Sequence, residues 1–204
     1  MADSSLASRK VEKTYIVEHL DPELEEWSSL EYAAIARESY AAGAKFCLSS
    51  VPKELRLSRA LQEAKGLHVE HESVEALYAD MKQTVCLLDP AATKELSPGD
   101  GDRFSVFLFG GILGLLDCGF EGRRLGPVQM TTDTAVRVTR IVVQDRIPLE
   151  EIPYVDHPEI RVDEHESTEM PFRYVKGKNS QPIFPEGMID LIKKDSERGI
   201  GDLL

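Results

Sequence analysis

Basic residues are scarce in this chain. Only 24 Lys and Arg stand against 36 Asp and Glu, a formal net charge of -12 over 204 residues. Phosphate-backbone binding is driven by Lys and Arg, so no direct nucleic-acid partner is expected. The balance suits a basic partner or simple solubility. Cysteines are few as well: Cys47, Cys86 and Cys118, with no C-x-x-C pair. That excludes a disulfide scaffold and a Cys-rich zinc module, and an odd, unclustered count fits a reducing compartment, here the cytoplasm. No apolar run is long enough to span a bilayer, so no membrane association is expected. The opening "MADSSLASRKVEK" lacks the apolar core of a signal peptide and reads as a mobile lead-in over residues 1–12. There is no G-x-G-x-x-G, no G-K-[ST] and no G-x-S-x-G, which argues against a dinucleotide site, a P-loop and a nucleophile elbow. His68 and His71 lie three apart, but no third ligand is near them, and no metal is expected.

What is present is a set of short, nearly continuous apolar runs: "TYIVEHL" (14–20), "KFCLSS" (45–50), "TVCLLD" (84–89) and "FSVFLFGG" (104–111). Strands covered on both faces read this way, which predicts a mostly parallel sheet. Hydrophobic residues make up 42%, enough for a sizeable core. Helical patterns lie between the runs. One opens at Asp21-Pro22, closes at Gly43 and places Trp27, Leu30, Ala34 and Ala41 on one face. A second covers 73–82 with Ser73 as its cap, and a third is expected around 54–65. Another is capped by Thr132 or Asp133. Its Ala135, Val138 and Val142 make an apolar stripe widened by Val136 and Val143, with Arg137, Arg140 and Gln144 facing outward and Pro148 beyond its end. Strand–helix alternation predicts a layered α/β domain over 13–147, its sheet flanked by helices. Residues 148–204 are rich in Pro and charge, too short for a core of their own, and are expected to pack back as a C-terminal extension ending in a helix at 185–195.

In open α/β sheets ligands bind beyond the carboxyl ends of the strands. Three such ends carry special residues here. "CLLDP" ends at Asp89-Pro90, "FGGILG" offers Gly110, Gly111 and Gly114, and "RRLGPVQMTTD" bends at Gly126-Pro127 before a helix start with free N–H groups. Each alone could be a turn, a strand exit or a cap. His19 sits beside Glu18 at the first strand end and is placed to face a pocket, while His157, His165 and the run "DEHESTE" (163–169) lie in the polar tail.

Taken in order, "YIVEH", "CLLDP", "FGGILG", "RRLGPVQMTTDTAVRVTR" and "TEMPFRYV…PEGMIDLIKKD" resemble the fungal and eukaryotic SPOUT-class protein arginine methyltransferases, which methylate an arginine of a small-subunit ribosomal protein. The similarity runs from Thr14 to Leu204. It implies a trefoil-knotted α/β fold and S-adenosyl-L-methionine held in a bent form. It further implies three walls for that cofactor: Leu88, Asp89 and Pro90; Gly110, Gly111, Ile112, Leu113 and Gly114; and Leu125, Gly126, Pro127, Val128, Gln129, Met130, Thr131, Thr132 and Thr134. A neutral adenine calls for backbone amides and carbonyls of this kind, whereas a phosphate would call for lysines. The partner implied is a basic ribosomal protein, and the extension from Leu149 suggests a monomer, since it could cover the face that other SPOUT proteins use to dimerise.

The chain departs from the family pattern at one place. After "FGGILG" the family continues with an acidic residue, a Pro-Arg-Asp-Arg-Thr segment and a short basic helix; here "LLDCGFEG" leads directly to Arg123-Arg124. The absent segment closes over the methionine end of the cofactor, so weakened binding is expected. For the transfer itself, arginine keeps its proton, with a pKa above 12, and carboxylates must hold the guanidinium in line with the sulfonium methyl group. Glu18, Glu169 and Asp133 are the candidates. Two other readings remain: a SPOUT-class RNA methyltransferase using a patch of Arg123, Arg124, Arg137 and Arg140, and a non-catalytic module that has lost part of its cofactor loop after Gly114.

Overall fold

The structure, a computed structural model, describes residues 11–110, 119–162 and 167–201. The expected lead-in falls mostly outside them, as do Cys118 and His165. Six parallel strands make one sheet: β1 (Thr14–Glu18), β2 (Lys45–Ser49), β3 (Leu67–Val69), β4 (Val85–Leu88), β5 (Val106–Phe109) and β6 (Glu121–Arg123). Their order is β3-β2-β1-β5-β4-β6. The four apolar runs are β1, β2, β4 and β5, the inner strands. β1 lies between β2 and β5 with Ile16 level with both Cys47 and Leu108.

The side-chain alternation of each strand divides these runs between two cores. Tyr15, Val17, Phe46, Leu48, Phe107 and Phe109 face one side, where helices α1 (Glu26–Ala41) and α5 (Thr132–Gln144) cover them. Ile16, Cys47, Val85, Leu87, Val106 and Leu108 face the other, against Val74 and Phe120. Burial on both sides is why these strands are apolar throughout. The expected knot takes in residues 111–118, which lie outside the described residues.

Several helices are shorter than the pattern predicted. α1 starts at Glu26, with Glu25 extended before it, so Asp21-Pro22 belongs to the preceding loop. Its sheet-facing residues include Tyr32, Ile35, Ala36 and Ser39, and Ala41 is exposed. The expected helix at 54–65 is a single turn, α2 (Arg59–Gln62), because Leu55 and Leu57 pack on the core from a loop. Ser73 does cap the next helix, its Oγ accepting from Ala76 N. That helix, α3 (Val74–Leu77), stops after one turn where Tyr78 packs beneath the sheet. α4 (Asp100–Arg103) precedes β5.

The extension carries two antiparallel pairs, β7 (Tyr154–Asp156) with β10 (Arg173–Val175) and β8 (Glu159–Arg161) with β9 (Ser167–Glu169), followed by α6 (Met188–Gly201). It packs against α1. Tyr174, Met188, Leu191 and Ile192 form a third apolar cluster with Trp27 and Leu30 of α1. The N–H of Arg173 donates to Gln129 O at 2.8 Å, fastening β10 to the bend ahead of α5.

Candidate active site

The carboxyl ends of β1, β4 and β5 open onto a cavity of about 830 Å³. Their ends supply Glu18, then Leu88, Asp89, Pro90 and Ala91, then Phe109 and Gly110. The bend between β6 and α5 supplies Leu125, Gly126, Pro127, Val128, Gln129 and Met130, followed by Thr132. The loop before α1 and α1 itself close the remaining side with Asp21, Ser28, Glu31 and Tyr32.

Two glycines shape these walls. Gly110 has φ +144, a backbone conformation that residues with side chains rarely adopt, and this, rather than crowding against Glu18, favours glycine where β5 leaves the sheet. Gly126 has φ +94, which turns the chain into Pro127. The carboxylate of Asp89 accepts from Ala91 N at 2.7 Å and fixes the β4 exit.

Eleven of the expected cofactor residues therefore line one cavity: Leu88, Asp89, Pro90, Gly110, Leu125, Gly126, Pro127, Val128, Gln129, Met130 and Thr132. Thr131 and Thr134 do not. Thr131 Oγ1 lies 2.8 Å from Asp133 Oδ1 and 2.9 Å from Thr134 Oγ1, in a buried cluster behind the wall. Gly111, Ile112, Leu113 and Gly114 lie outside the described residues, together with the departure that follows them.

The three expected carboxylates part company. Glu18 lines the cavity and is 7% exposed. Its Oε1 accepts from Ser50 Oγ at 2.8 Å and from Val74 N at 3.1 Å. Its Oε2 is enclosed, with no hydrogen-bond partner among the described residues. Asp133 is buried away from the cavity, because Arg137 takes its Oδ2 at 3.1 Å. Arg137 was expected to face outward. It is buried instead, and its other nitrogens reach Glu38 at 2.9 and 2.6 Å, joining α5 to α1. Glu169 lies outside the cavity on β9, its side chain 65% exposed and 3.9 Å from His157 Nδ1. Arg173 pairs with Asp156 at 2.6 Å.

Glu31 was missed. It is 5% exposed, lines the cavity, and accepts through Oε1 from Thr132 N at 3.1 Å, so a side chain of α1 caps α5. Burial first, and then the neighbouring Asp133 charge, push its pKa from 4.5 up to about 7, against the pull of hydrogen bonds from Trp27 and Thr132. Its signal in the sequence is a carboxylate one turn after Trp27 and one turn before Ile35, on a face of α1 that is otherwise apolar. His19 sits behind the cavity wall. Its Nδ1 lies 3.2 Å from the hydroxyl of Tyr32, whose pKa burial and the nearby Glu31 raise to about 12.

Glu18, Asp21, Glu31 and Asp89 give the cavity four carboxylates, and no Lys or Arg side chain lines it among the described residues. Such a lining accepts a cation and repels a phosphate. The arginines read as a basic patch are each engaged: Arg123 with Asp100 at 2.8 Å, Arg124 with Glu95 at 3.2 Å, Arg137 as above, and Arg140 with Asp145 at 2.9 Å. No group of three metal-ligating side chains occurs among the described residues.

Comparison with known proteins agrees with this geometry. Residues 14–199 match the family model described as protein arginine N-methyltransferase SFM1-like. The chain is 42% identical to protein arginine N-methyltransferase SFM1 of Saccharomyces cerevisiae, over 93% of this chain and 99% of that protein. The alignment spans 215 positions against 204 residues here, so the yeast protein carries residues without a counterpart in this chain. Among solved structures, yeast SFM1 complexed with SAM superposes with a TM-score of 0.80 at 42% identity, covering 91% of this chain and 92% of that one. Yeast SFM1 complexed with SAH gives 0.77 at 41%, covering 88% and 94%.

Proposed function

Because the chain belongs to the SFM1-like family of protein arginine N-methyltransferases, we propose that it transfers a methyl group from S-adenosyl-L-methionine to a guanidinium nitrogen of an arginine in a basic small-subunit ribosomal protein. The observation that carries this is the acid-only lining of a cavity walled by three strand-end turns. The residues present fit the cofactor. Both halves of the reacting pair, a sulfonium and a guanidinium, are cations, and glycines at 110 and 126 let backbone stand where side chains would intrude. In this reading the fold is of the SPOUT class, the sheet being wholly parallel. The extension that covers Trp27 and Leu30 supports a monomer, and we place the reaction in the cytoplasm.

When bound, the cofactor supplies a methyl group on a positively charged sulfur. The backbone of 125–130, with Leu88, Asp89 and Pro90, would hold the adenosine part of the cofactor. Glu18 receives the substrate guanidinium. It is fixed by Ser50 and the Val74 N–H, so it does not have to be ordered on binding. Paired N–H···O bonds orient a planar guanidinium, and alignment of one nitrogen with the methyl–sulfur axis is what the protein contributes to an in-line displacement. As the methyl–sulfur bond breaks, leaving the neutral thioether S-adenosylhomocysteine, the methylated nitrogen would pass its extra proton to the Glu18 carboxylate and on to solvent.

Incubation of the chain with radiolabelled S-adenosyl-L-methionine and a whole small ribosomal subunit tests the reading. Label is expected in methylarginine of one protein. Label in rRNA, or none in either fraction, would overturn it. Titration with the cofactor should raise the melting temperature, since a ligand of the native state stabilises it.

A further inference from the structure

We propose that Glu31 is the second carboxylate of the arginine-receiving end of this cavity, acting beside Glu18. The proposal rests on the methyl-transfer reading above and names the residue that completes its substrate site.

Three observations lead to it. The first is position. Glu31 and Glu18 come from different elements and line the same cavity. The residues that follow them in the chain, Tyr32 and His19, touch through Tyr32 Oη and His19 Nδ1 at 3.2 Å, which holds the middle of α1 against the end of β1. The second is charge. Glu31 stands at the head of α5, where its Oε1 accepts from the N–H of Thr132, the residue before Asp133. Glu38 and Asp133 share Arg137. Asp133 and Glu38 thus meet one cation, Glu31 stands beside Asp133 without a cation of its own among the described contacts, and Glu18 adds a fourth carboxylate whose partners, a hydroxyl and an amide, are neutral. Buried carboxylates in such excess call for a cationic ligand. The third is the enclosed Glu18 Oε2, a carboxylate oxygen with no partner among the described residues.

Capping alone does not account for Glu31. A cap needs one neutral oxygen, which Ser or Asn supplies without burying a charge. A guanidinium offers five N–H donors in a plane. Two carboxylates from separate elements can hold its opposite edges and leave one nitrogen toward the methyl group. Because Glu31 also fixes the first turn of α5, substrate contact is tied to the bend that walls the cofactor.

The test compares the unaltered chain with Glu31→Gln and Glu31→Asp. Gln keeps an oxygen for the Thr132 N–H and removes the charge. S-adenosylhomocysteine affinity is measured by calorimetry, and methyl transfer by steady-state kinetics on an unmethylated synthetic peptide with the sequence around the labelled arginine. Glu31→Gln is expected to bind S-adenosylhomocysteine within about twofold of the unaltered chain and to lose ~100-fold in kcat/KM, the scale of a removed buried charge partner. Glu31→Asp should fall between the two. Retained affinity with kcat/KM within about threefold would overturn the assignment of Glu31 alone. Equal losses of affinity and turnover would assign it to capping and overturn the proposal as well. An unaltered chain that neither binds nor transfers would overturn the methyl-transfer reading beneath it.

Discussion

Glu31→Gln should make the protein more stable at mildly alkaline pH while removing a charge from the cavity. Burial and Asp133 raise the Glu31 pKa from 4.5 to about 7. The folded state therefore holds the Glu31 proton more tightly than the unfolded chain does. Between those two values the native state binds more protons, so stability falls as pH rises through that window and stays low above it. At about 1.4 kcal/mol per decade, ionised Glu31 destabilises the fold by about 3 kcal/mol at about pH 8. The like charge of Asp133 beside it is part of that penalty. Gln removes the buried charge and can donate to Asp133. It weakens the bond from Thr132 N–H by about 1 kcal/mol, since the acceptor is no longer ionised.

The net gain is then about 2 kcal/mol at about pH 8, or roughly 4–8 °C in melting temperature for a chain of this size. Near pH 4.5, where the native carboxyl is already protonated, the gain should vanish. Urea denaturation of both proteins at the two pH values checks this through the midpoint at constant slope. A variant destabilised equally at both would refute the reasoning, because it would make the Thr132 contact, rather than the charge, the dominant energetic feature of Glu31.

Removing the Arg137 guanidinium, as in Arg137→Ala, leaves Asp133 and Glu38 facing each other without a cation, and a loss of about 3–5 kcal/mol is expected in the same denaturation assay. Gly126→Ala strains a backbone held at φ +94, with open space around the added Cβ. It should cost about 1–2 kcal/mol and weaken S-adenosylhomocysteine binding in calorimetry, with little change in the fold by circular dichroism. Glu169→Gln, at an exposed position outside the cavity, should leave kcat/KM for methyl transfer within about twofold, read by the radiolabel assay.

The yeast relative carries residues without a counterpart in this chain, and the departure from the family pattern is expected after Gly114. Among the described residues, the bends at 88–90 and 125–130 are held by β4–β6 pairing and by the Arg173–Gln129 bond. A chain restored to the longer loop, compared with this one by cofactor titration, would measure what the segment adds.

The inner strands and the strand-end turns were legible because their causes are local. Val85 to Leu88 and Val106 to Phe109 are buried on both faces, so each run is apolar whatever its neighbours are. Gly110 and Gly126 mark positive φ by being glycine. The short β3 and β6 gave no such signal; three residues at a sheet edge carry too little apolar content. The length of α3 was misjudged, because Tyr78 leaves the helix to pack on a core that local periodicity cannot see. Arg137 read as an outward charge and proved to be an anchor, since its partner Glu38 lies ninety-nine residues away in the chain. By itself, then, the sequence determined the apolar strands, the turns and an excess of acid. Only the tertiary structure decided which acids share a cavity. Glu18, Glu31 and the α5 cap meet because β1 lies between β2 and β5 with α1 and α5 packed together on one face, and that convergence is a property of strand order and long-range packing.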